Sequence, residues 1–397
     1  MSDSSSILGQ VALSYSPMVD RQRAVAATRL TVFPLMPGAP LDAGALLAEV
    51  ASVWPEGGPS VSLNVLSESL LHDLMAARPS ANVMVEIPAF MAADPAHCDA
   101  ICALHARGNT LMIKGRPLRE LPRELLPCFK HSIIDIEEER RSEAPPAGVS
   151  RTITHVQSGV RTLADMEGSF KRNAVAVLGW PIDDAIEHSV QRNSSRPDMS
   201  TIVELIRRVD KEEPIERLEA TLKLDPTLAF KLMRYINSPA FGLSVEIGSF
   251  RHAIMMLGYQ RLKRWLALLL ATASKDTNLK PVMFAAVRRG LLMEELVRGS
   301  GDDEMRNEMF ICGVFSLLDR MFKQPFGELM RTIPVPQRVF QALVENSGPY
   351  QPYFDLVKAV ESESLFDFRA AADQLLMSVS EINRAQLRAL TTAAELD

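Results

Sequence analysis

The chain is short of cysteine, of long apolar runs and of excess positive charge. Four cysteines in 397 residues, none paired as Cys-x-x-Cys, cannot supply a disulfide framework, which points to a reducing compartment such as the cytoplasm. The N-terminus has neither the basic start nor the apolar stretch of a signal peptide. The longest apolar run, 265–271, falls far below the roughly 20 residues needed to cross a bilayer, so no membrane partner is expected. With 43 basic against 49 acidic residues the net charge is -6, which gives no general attraction to nucleic acid. Glycine-rich phosphate loops of the Walker or dinucleotide type are absent, as is a Gly-x-Ser-x-Gly elbow.

What is present is a globular composition, 47% apolar and 23% charged, in a chain long enough for two or more domains. Residues 1–190 hold 16 basic and 22 acidic side chains, whereas the remainder is balanced at 27 of each. Hydrophobic patterning changes at nearly the same place, from short β-type runs between helical stretches to almost continuous helix. The expected organisation is a disordered N-terminus (1–8), a β/α barrel (9–190), a polar linker (191–200) and an all-helical domain (201–397).

Eight strands are expected at 9–17, 25–33, 60–66, 82–88, 109–115, 132–136, 152–156 and 174–180, the count of a β/α barrel. Only residues 18–24 separate the first two, too few for a crossover helix, so these two should form an antiparallel hairpin. Charges and paired prolines at 137–151 replace an expected helix, and the barrel is therefore expected to be trimmed or partly open. In the second half, Thr201 and Glu204 are spaced as a capping box, Asp225-Pro226 opens a helix, and Gly258 separates two more.

The stretch 225–258 resembles the signature of the HDOD domain, a bacterial helical signalling module related to the HD phosphohydrolases. Asp225, Pro226, Asn237, Ser238, Phe241, Gly242, Leu257 and Gly258 carry the likeness, with Leu228, Leu232, Ile247, Ser249, Ala253 and Ile254. HD enzymes gather several His and Asp side chains around a cation. Residues 200–397 contain one histidine, His252, and the single His-Asp dipeptide, His72-Asp73, lies in the other half, where it reads as a solvated helix face.

The first half resembles, more weakly, a degenerate EAL domain, the cyclic di-GMP phosphodiesterase barrel, through residues 14–30, 62–65, 85–88, 132–136, 158–166 and 176–183. The resemblance implies two divalent cations held by carboxylates and an Asn. On this alignment Asn64 and Glu86 match ligands, the motif glutamate falls on Thr28, and the paired aspartates fall on Lys114 and Gly115. The later lysine, glutamate and glutamine fall near Ile133, Arg161 and Leu178. An ammonium where a cation should sit opposes metal binding.

Cys98, Cys102 and His105 share one helix face with Ile101, which reads as a core-facing stripe rather than a metal site. Among the basic clusters, Arg261 to Arg264 is the least diluted by acids. The fold class is thus α/β plus all-α: an EAL-type barrel followed by an HD-like bundle. The expected function is non-catalytic bacterial signal transduction through a regulatory protein partner, with no cofactor and no metal. The alternative is a cyclic di-GMP receptor that binds through Arg29, Lys114 and Arg116 without hydrolysis; residual phosphodiesterase activity stands third.

Overall fold

A computed structural model describes residues 6–141, 153–184, 197–223, 250–272, 274 and 276–396. Its contacts divide the chain into two compact units. Unit 1 comprises Met1–Asp184 and Lys358–Arg384; unit 2 comprises Ala185–Val357 and Ala385–Asp397. The sequence patterning assigned everything after residue 201 to one helical domain. The structure instead groups 27 residues near the C-terminus, 358–384, with the barrel.

Unit 1 is a closed eight-stranded barrel. Strands β1 (Val11–Asp20) and β2 (Val25–Pro34) pair antiparallel, joined by a tight turn in which Arg23 takes a positive φ of 63° and the Asp20 carboxylate accepts from the Ala24 amide at 2.9 Å. From β2 the order runs parallel through β3 (Ser60–Val65), β4 (Val83–Pro88), β5 (Leu111–Lys114), β6 (Phe129–Asp135), β7 (Thr154–Ser158) and β8 (Ala176–Leu178). The expectation of a partly open barrel is corrected by the last pairing. β8 lies antiparallel on the outer edge of β1, matching Met18 to Leu178 and Asp20 to Ala176. The hairpin offers a second strand edge, and a short β8 is enough to close on it.

Alternation along each strand sorts the side chains. Met18, Ala27, Met112, Ile133, Val156, Ala176 and Leu178 fill a layer inside the barrel. Val19, Val177, Val160 and Ile136 face outward and pack against Met166 and Phe170 of the helix Leu163–Lys171. That helix starts where the Thr162 side chain accepts from the Asp165 amide. Asp42 and Ser67 cap the helices Ala43–Val53 and Glu68–Ala76 in the same way.

Because β8 covers β1 only from residue 18 to 20, the rest of that edge needs other partners. Gly179 donates its amide to the Pro17 carbonyl at 3.2 Å, and Trp180 Nε1 donates to the Tyr15 carbonyl at 3.2 Å. Further along, Asn383, fully buried, accepts from the Leu13 amide at 3.1 Å. Its Nδ2 donates to the carbonyls of Leu8 and Val11 at 2.8 and 2.7 Å. A residue from the far end of the sequence therefore completes the backbone pairing of the first strand. Ile7 and Leu8, assigned to a disordered start, are buried for the same reason; residues 1–5 lie outside the described residues.

Among the described residues of unit 2, all regular secondary structure is helical. Its first helix runs Pro197–Asp210, so the helix begins before Thr201 and the expected capping box is not its start. Proline suits a first helical turn, where its missing N–H costs nothing. Ile202, Leu205, Ile206 and Val209 are buried at helical spacing. The linker residues 191–196 lie outside the described residues. The helix Phe250–Thr272 is broken at Gly258, which has φ 72° and ψ 171°, at the point the sequence marks as a stop.

The helices Lys280–Leu296 and Asp303–Phe315 meet across Gly290 and Gly313. A Cβ added at Gly313 would lie 2.5 Å from the Arg289 carbonyl oxygen, and that atom is backbone with little freedom to move. Gly313→Ala is therefore expected to force the helices apart and to destabilise unit 2 by about 1–3 kcal/mol, as overpacking does. Thermal unfolding followed by circular dichroism checks this; an unchanged melting profile contradicts the close crossing.

Candidate functional site

The inner faces of β2, β3, β4 and β5 converge on a cluster of charge. Arg29 points inward from β2, beside Ser16 of β1 and Ser62 of β3 in the strand register. It is 5% exposed and grips Glu86, itself 1% exposed, in a two-pronged pair: Nε to Oε1 at 2.8 Å and the second nitrogen to Oε2 at 2.7 Å. Ser62 Oγ donates to Glu86 Oε1 at 2.9 Å. The remaining Arg29 nitrogen reaches Glu363 Oε2 at 3.0 Å, and Ser16 Oγ donates to Glu363 Oε1 at 2.9 Å. Glu363 belongs to the same compact unit as the barrel through the segment 358–384.

Beside this pair, Lys114 at the end of β5 donates from Nζ to Asn64 Oδ1 at 2.8 Å, and Asn64 Nδ2 donates to Thr31 Oγ1 at 3.2 Å. Burial, reinforced by repulsion from the Arg29 guanidinium, lowers the Lys114 ammonium below the usual lysine range, while Glu86 and Glu363 oppose that shift. For Arg29 burial also works against the charge, but the two carboxylates outweigh it and hold the proton above the usual arginine range. Two cations and two anions thus balance one another inside the barrel.

The sequence-derived residues are distributed as follows. Asn64, Glu86 and Lys114 come together at this cluster. Thr28 does not: in β2 it stands on the opposite face from Arg29, paired with Pro17 and Val61, so the inward position belongs to its neighbour. Gly115, with φ 81°, follows the strand and donates its amide to the Ile133 carbonyl. Arg116 is half exposed and lies 3.6 Å from Glu138 in an ion pair. Ile133 and Leu178 belong to the apolar inner layer, and Arg161 pairs with Asp183 at 2.6 Å.

Ser16, Ser62 and Glu363 were not singled out from the sequence. The two serines could have been found by counting back two positions from Met18 and Asn64 on the inner face. Glu363 lies 334 residues from Arg29, and no local pattern announces it.

Divalent cations fit this donor set poorly. Both oxygens of Glu86 are taken by Arg29 and the Asn64 oxygen by Lys114, so a cation would have to displace two positive groups, of which the Arg29 guanidinium is buried. Outside the cluster, the strands β3 to β5 open onto a cavity of about 1020 Å³ lined by Leu66, Phe90, Leu118, Lys114, Arg116 and Arg119 among others.

The other candidate clusters are plain. On the helix Cys98–Ala106 the buried stripe is Ile101 and Leu104, whereas Cys98 and Cys102 are half-buried and His105 is exposed; the expectation that all three line the core is corrected. Cys102 Sγ instead lies 3.9 Å from Cys128 Sγ, and burial pushes the Cys128 thiol up to about 11. His72 and Asp73 are exposed, with His72 Nδ1 3.4 Å from His97 Nδ1. Lys263 pairs with Asp210, and Arg264 forms a two-pronged pair with Glu294 at 2.6 Å, so two members of the 261–264 cluster are engaged within unit 2. Of the residues expected to carry the helical signature, Asp225, Pro226, Asn237, Ser238, Phe241 and Gly242 lie outside the described residues, and so does the Leu257 side chain. Among the described residues no group of three or more His, Cys, Asp and Glu side chains is placed to hold a metal ion, and no helix is long and apolar enough to cross a membrane.

Two curated relatives share parts of the chain. The uncharacterized protein YuxH of Bacillus subtilis (strain 168) is 30% identical over 228 residues, 54% of this chain and 55% of that protein. The cyclic di-GMP phosphodiesterase CdgJ of Vibrio cholerae serotype O1 is 27% identical over 166 residues, 42% of this chain and 38% of that protein. The chain therefore spans about half of one relative and less of the other. Solved structures that resemble it include the EAL enzyme Bd1971 in its cGMP-bound form, at 12% identity and a TM-score of 0.33 over 43% of this chain and 60% of that one. A standalone EAL protein from Vibrio cholerae O395 with cyclic di-GMP bound gives 16% identity and a TM-score of 0.32 over 43% and 90%. The HDOD family profile matches residues 197–322, and the helical part of the chain accordingly carries an HDOD domain there.

Proposed function

We propose that this chain is a non-catalytic bacterial signalling protein, an EAL-like barrel that has lost its chemistry joined to an HDOD domain, which acts by binding a regulatory protein within cyclic di-GMP signalling. The observation that carries the reading is the Arg29–Glu86 pair. The acid that matches an EAL metal ligand is neutralised by a buried guanidinium reaching across β3 from β2, and the matching Asn64 is held by an ammonium. We infer that Arg29, rather than Thr28, occupies the inward place of the motif glutamate, which reverses the sign of the charge there. The relative CdgJ, named a cyclic di-GMP phosphodiesterase, supports the pathway; the activity is that protein's own.

The test is an assay of the full chain with cyclic di-GMP and Mg²⁺ or Mn²⁺. No hydrolysis is expected, and affinity capture from the source cells is expected to return one regulatory protein, lost when the exposed Phe90 and Leu118 beside the cavity are replaced by serine. Metal-dependent hydrolysis contradicts the reading. A second reading, a receptor for cyclic di-GMP, is favoured by one feature: Lys114, Arg116 and Arg119 line the cavity at the end of the barrel, and such cations suit phosphate oxygens.

A further inference from the structure

The Arg29 guanidinium has more donors than Glu86 can use, and what takes the surplus is unusual. Glu363 comes from a turn between the helices Gln351–Glu361 and Leu365–Leu375. Its carboxylate spans Ser16 Oγ at 2.9 Å and an Arg29 nitrogen at 3.0 Å, and it lies close enough to Lys114 to stabilise that ammonium. A hydroxyl, a guanidinium nitrogen and a nearby ammonium around one planar oxyanion form a set that recognises carboxylate or phosphate groups. The backbone at Glu363 carries a second sign. Its φ of 54° lies in the left-handed region, where a turn ending a helix usually takes glycine or asparagine, yet a glutamate is used. The Glu363 side chain is also far more accessible than that of Arg29, to which it is tied, 27% exposed against 6%.

Charge bookkeeping gives the consequence. With Glu363 in place the cluster holds Arg29 and Lys114 against Glu86 and Glu363; without it one positive charge is left over in a half-buried setting that favours an anion.

We propose that the inner mouth of the barrel is an oxyanion-binding site whose resident occupant is the chain's own Glu363, so that a free ligand bearing a phosphate or carboxylate group binds only when the segment 358–384 releases that side chain. The inference rests on the reading of a mouth that holds no metal. The apparent affinity for a free anion is the intrinsic affinity reduced by the fraction of chains in which Glu363 has left. If that fraction is roughly one in ten or smaller, removing the Glu363 charge raises apparent affinity about tenfold or more. The segment has other anchors: Arg369 donates to the Leu35 carbonyl and Asn383 to β1, so release is a property of the whole segment rather than of one side chain.

The experiment is metal-free titration calorimetry of the full chain with two probes, inorganic phosphate and cyclic di-GMP, in wild type and Glu363→Gln. Arg369→Ala provides the second variant, since it loosens the segment while leaving every charge of the mouth in place; circular dichroism establishes that each variant is folded. Wild type is expected to bind either probe weakly or not at all, Glu363→Gln about tenfold more tightly, and Arg369→Ala in between. A gain for cyclic di-GMP alone identifies a nucleotide phosphodiester as the ligand, and a gain for both identifies a general oxyanion site. Folded variants that gain affinity for neither probe overturn the tethered occupant and leave the non-catalytic reading intact. Hydrolysis of cyclic di-GMP by Glu363→Gln on adding Mn²⁺ overturns that reading itself.

Discussion

Replacing Arg29 by methionine is expected to destabilise the barrel unit by about 3–5 kcal/mol, the range found when one member of a buried ion pair is removed. The loss arises less from the missing attraction than from what remains. Glu86, 1% exposed, keeps only the Ser62 hydroxyl as a donor, and a carboxylate stranded in that setting costs several kcal/mol. Glu363 also loses its guanidinium partner but can turn toward solvent, so it adds little. The double variant Arg29→Met with Glu86→Gln should recover most of the stability, because a neutral amide can accept from Ser62 and carries no charge to strand. Denaturant unfolding of the two single variants and the double variant measures this. An Arg29→Met protein within about 1 kcal/mol of wild type contradicts the claim that this pair organises the site.

The second large effect concerns Asn383. Its amide satisfies the Leu8 and Val11 carbonyls and the Leu13 amide, all along the stretch of β1 that β8 is too short to reach. Asn383→Ala orphans these buried backbone groups at roughly 1–3 kcal/mol each, of which partial relaxation is expected to leave a net loss of about 2–4 kcal/mol. The same argument extends to truncation. A protein ending near residue 190 lacks Asn383, Glu363 and Arg369, and leaves the edge of β1 open to pairing with other chains. Size-exclusion chromatography is expected to show that fragment aggregated or absent from the soluble fraction, while the full chain runs as a defined species. A well-behaved, stable fragment contradicts the assignment of 358–384 to the barrel unit.

Much of the architecture was legible because the signals are local. Alternating runs mark all eight strands, the seven residues 18–24 force the opening hairpin, and Gly258 marks the break in the helix Phe250–Thr272. The closure of the barrel was not legible, since it depends on three residues of β8 finding the free edge of β1 across 160 positions, as in Met18 with Leu178. The site was half legible. Asn64, Glu86 and Lys114 were found from the strings that carry them, but the expected motif position, Thr28, lies one residue from the inward-facing Arg29. In a strand a slip of one exchanges the inner for the outer face. Arg29 was therefore read as a free phosphate contact, and its pairing with Glu86, on which the charge balance depends, was not foreseen. Glu363 and Asn383 lay beyond any pattern, because what selects them is the need of distant groups for a partner.

The C-terminal segment changes how substitutions in the chain should be interpreted. A variant at residues 358–384 acts on the barrel unit, although in sequence it follows the HDOD domain at 197–322. Loss of function from such a variant is therefore expected to trace to the barrel mouth or to β1.

The central claim is that buried cations hold the place of the divalent metal in this barrel. Titration of the full chain with Mn²⁺, following the free ion by electron paramagnetic resonance, tests it most directly. The account predicts that the free-ion signal rises in proportion to added Mn²⁺, alike in wild type and in Glu86→Gln. Depletion of that signal by wild type, abolished by Glu86→Gln, would show that the carboxylate holds a metal and would contradict the account.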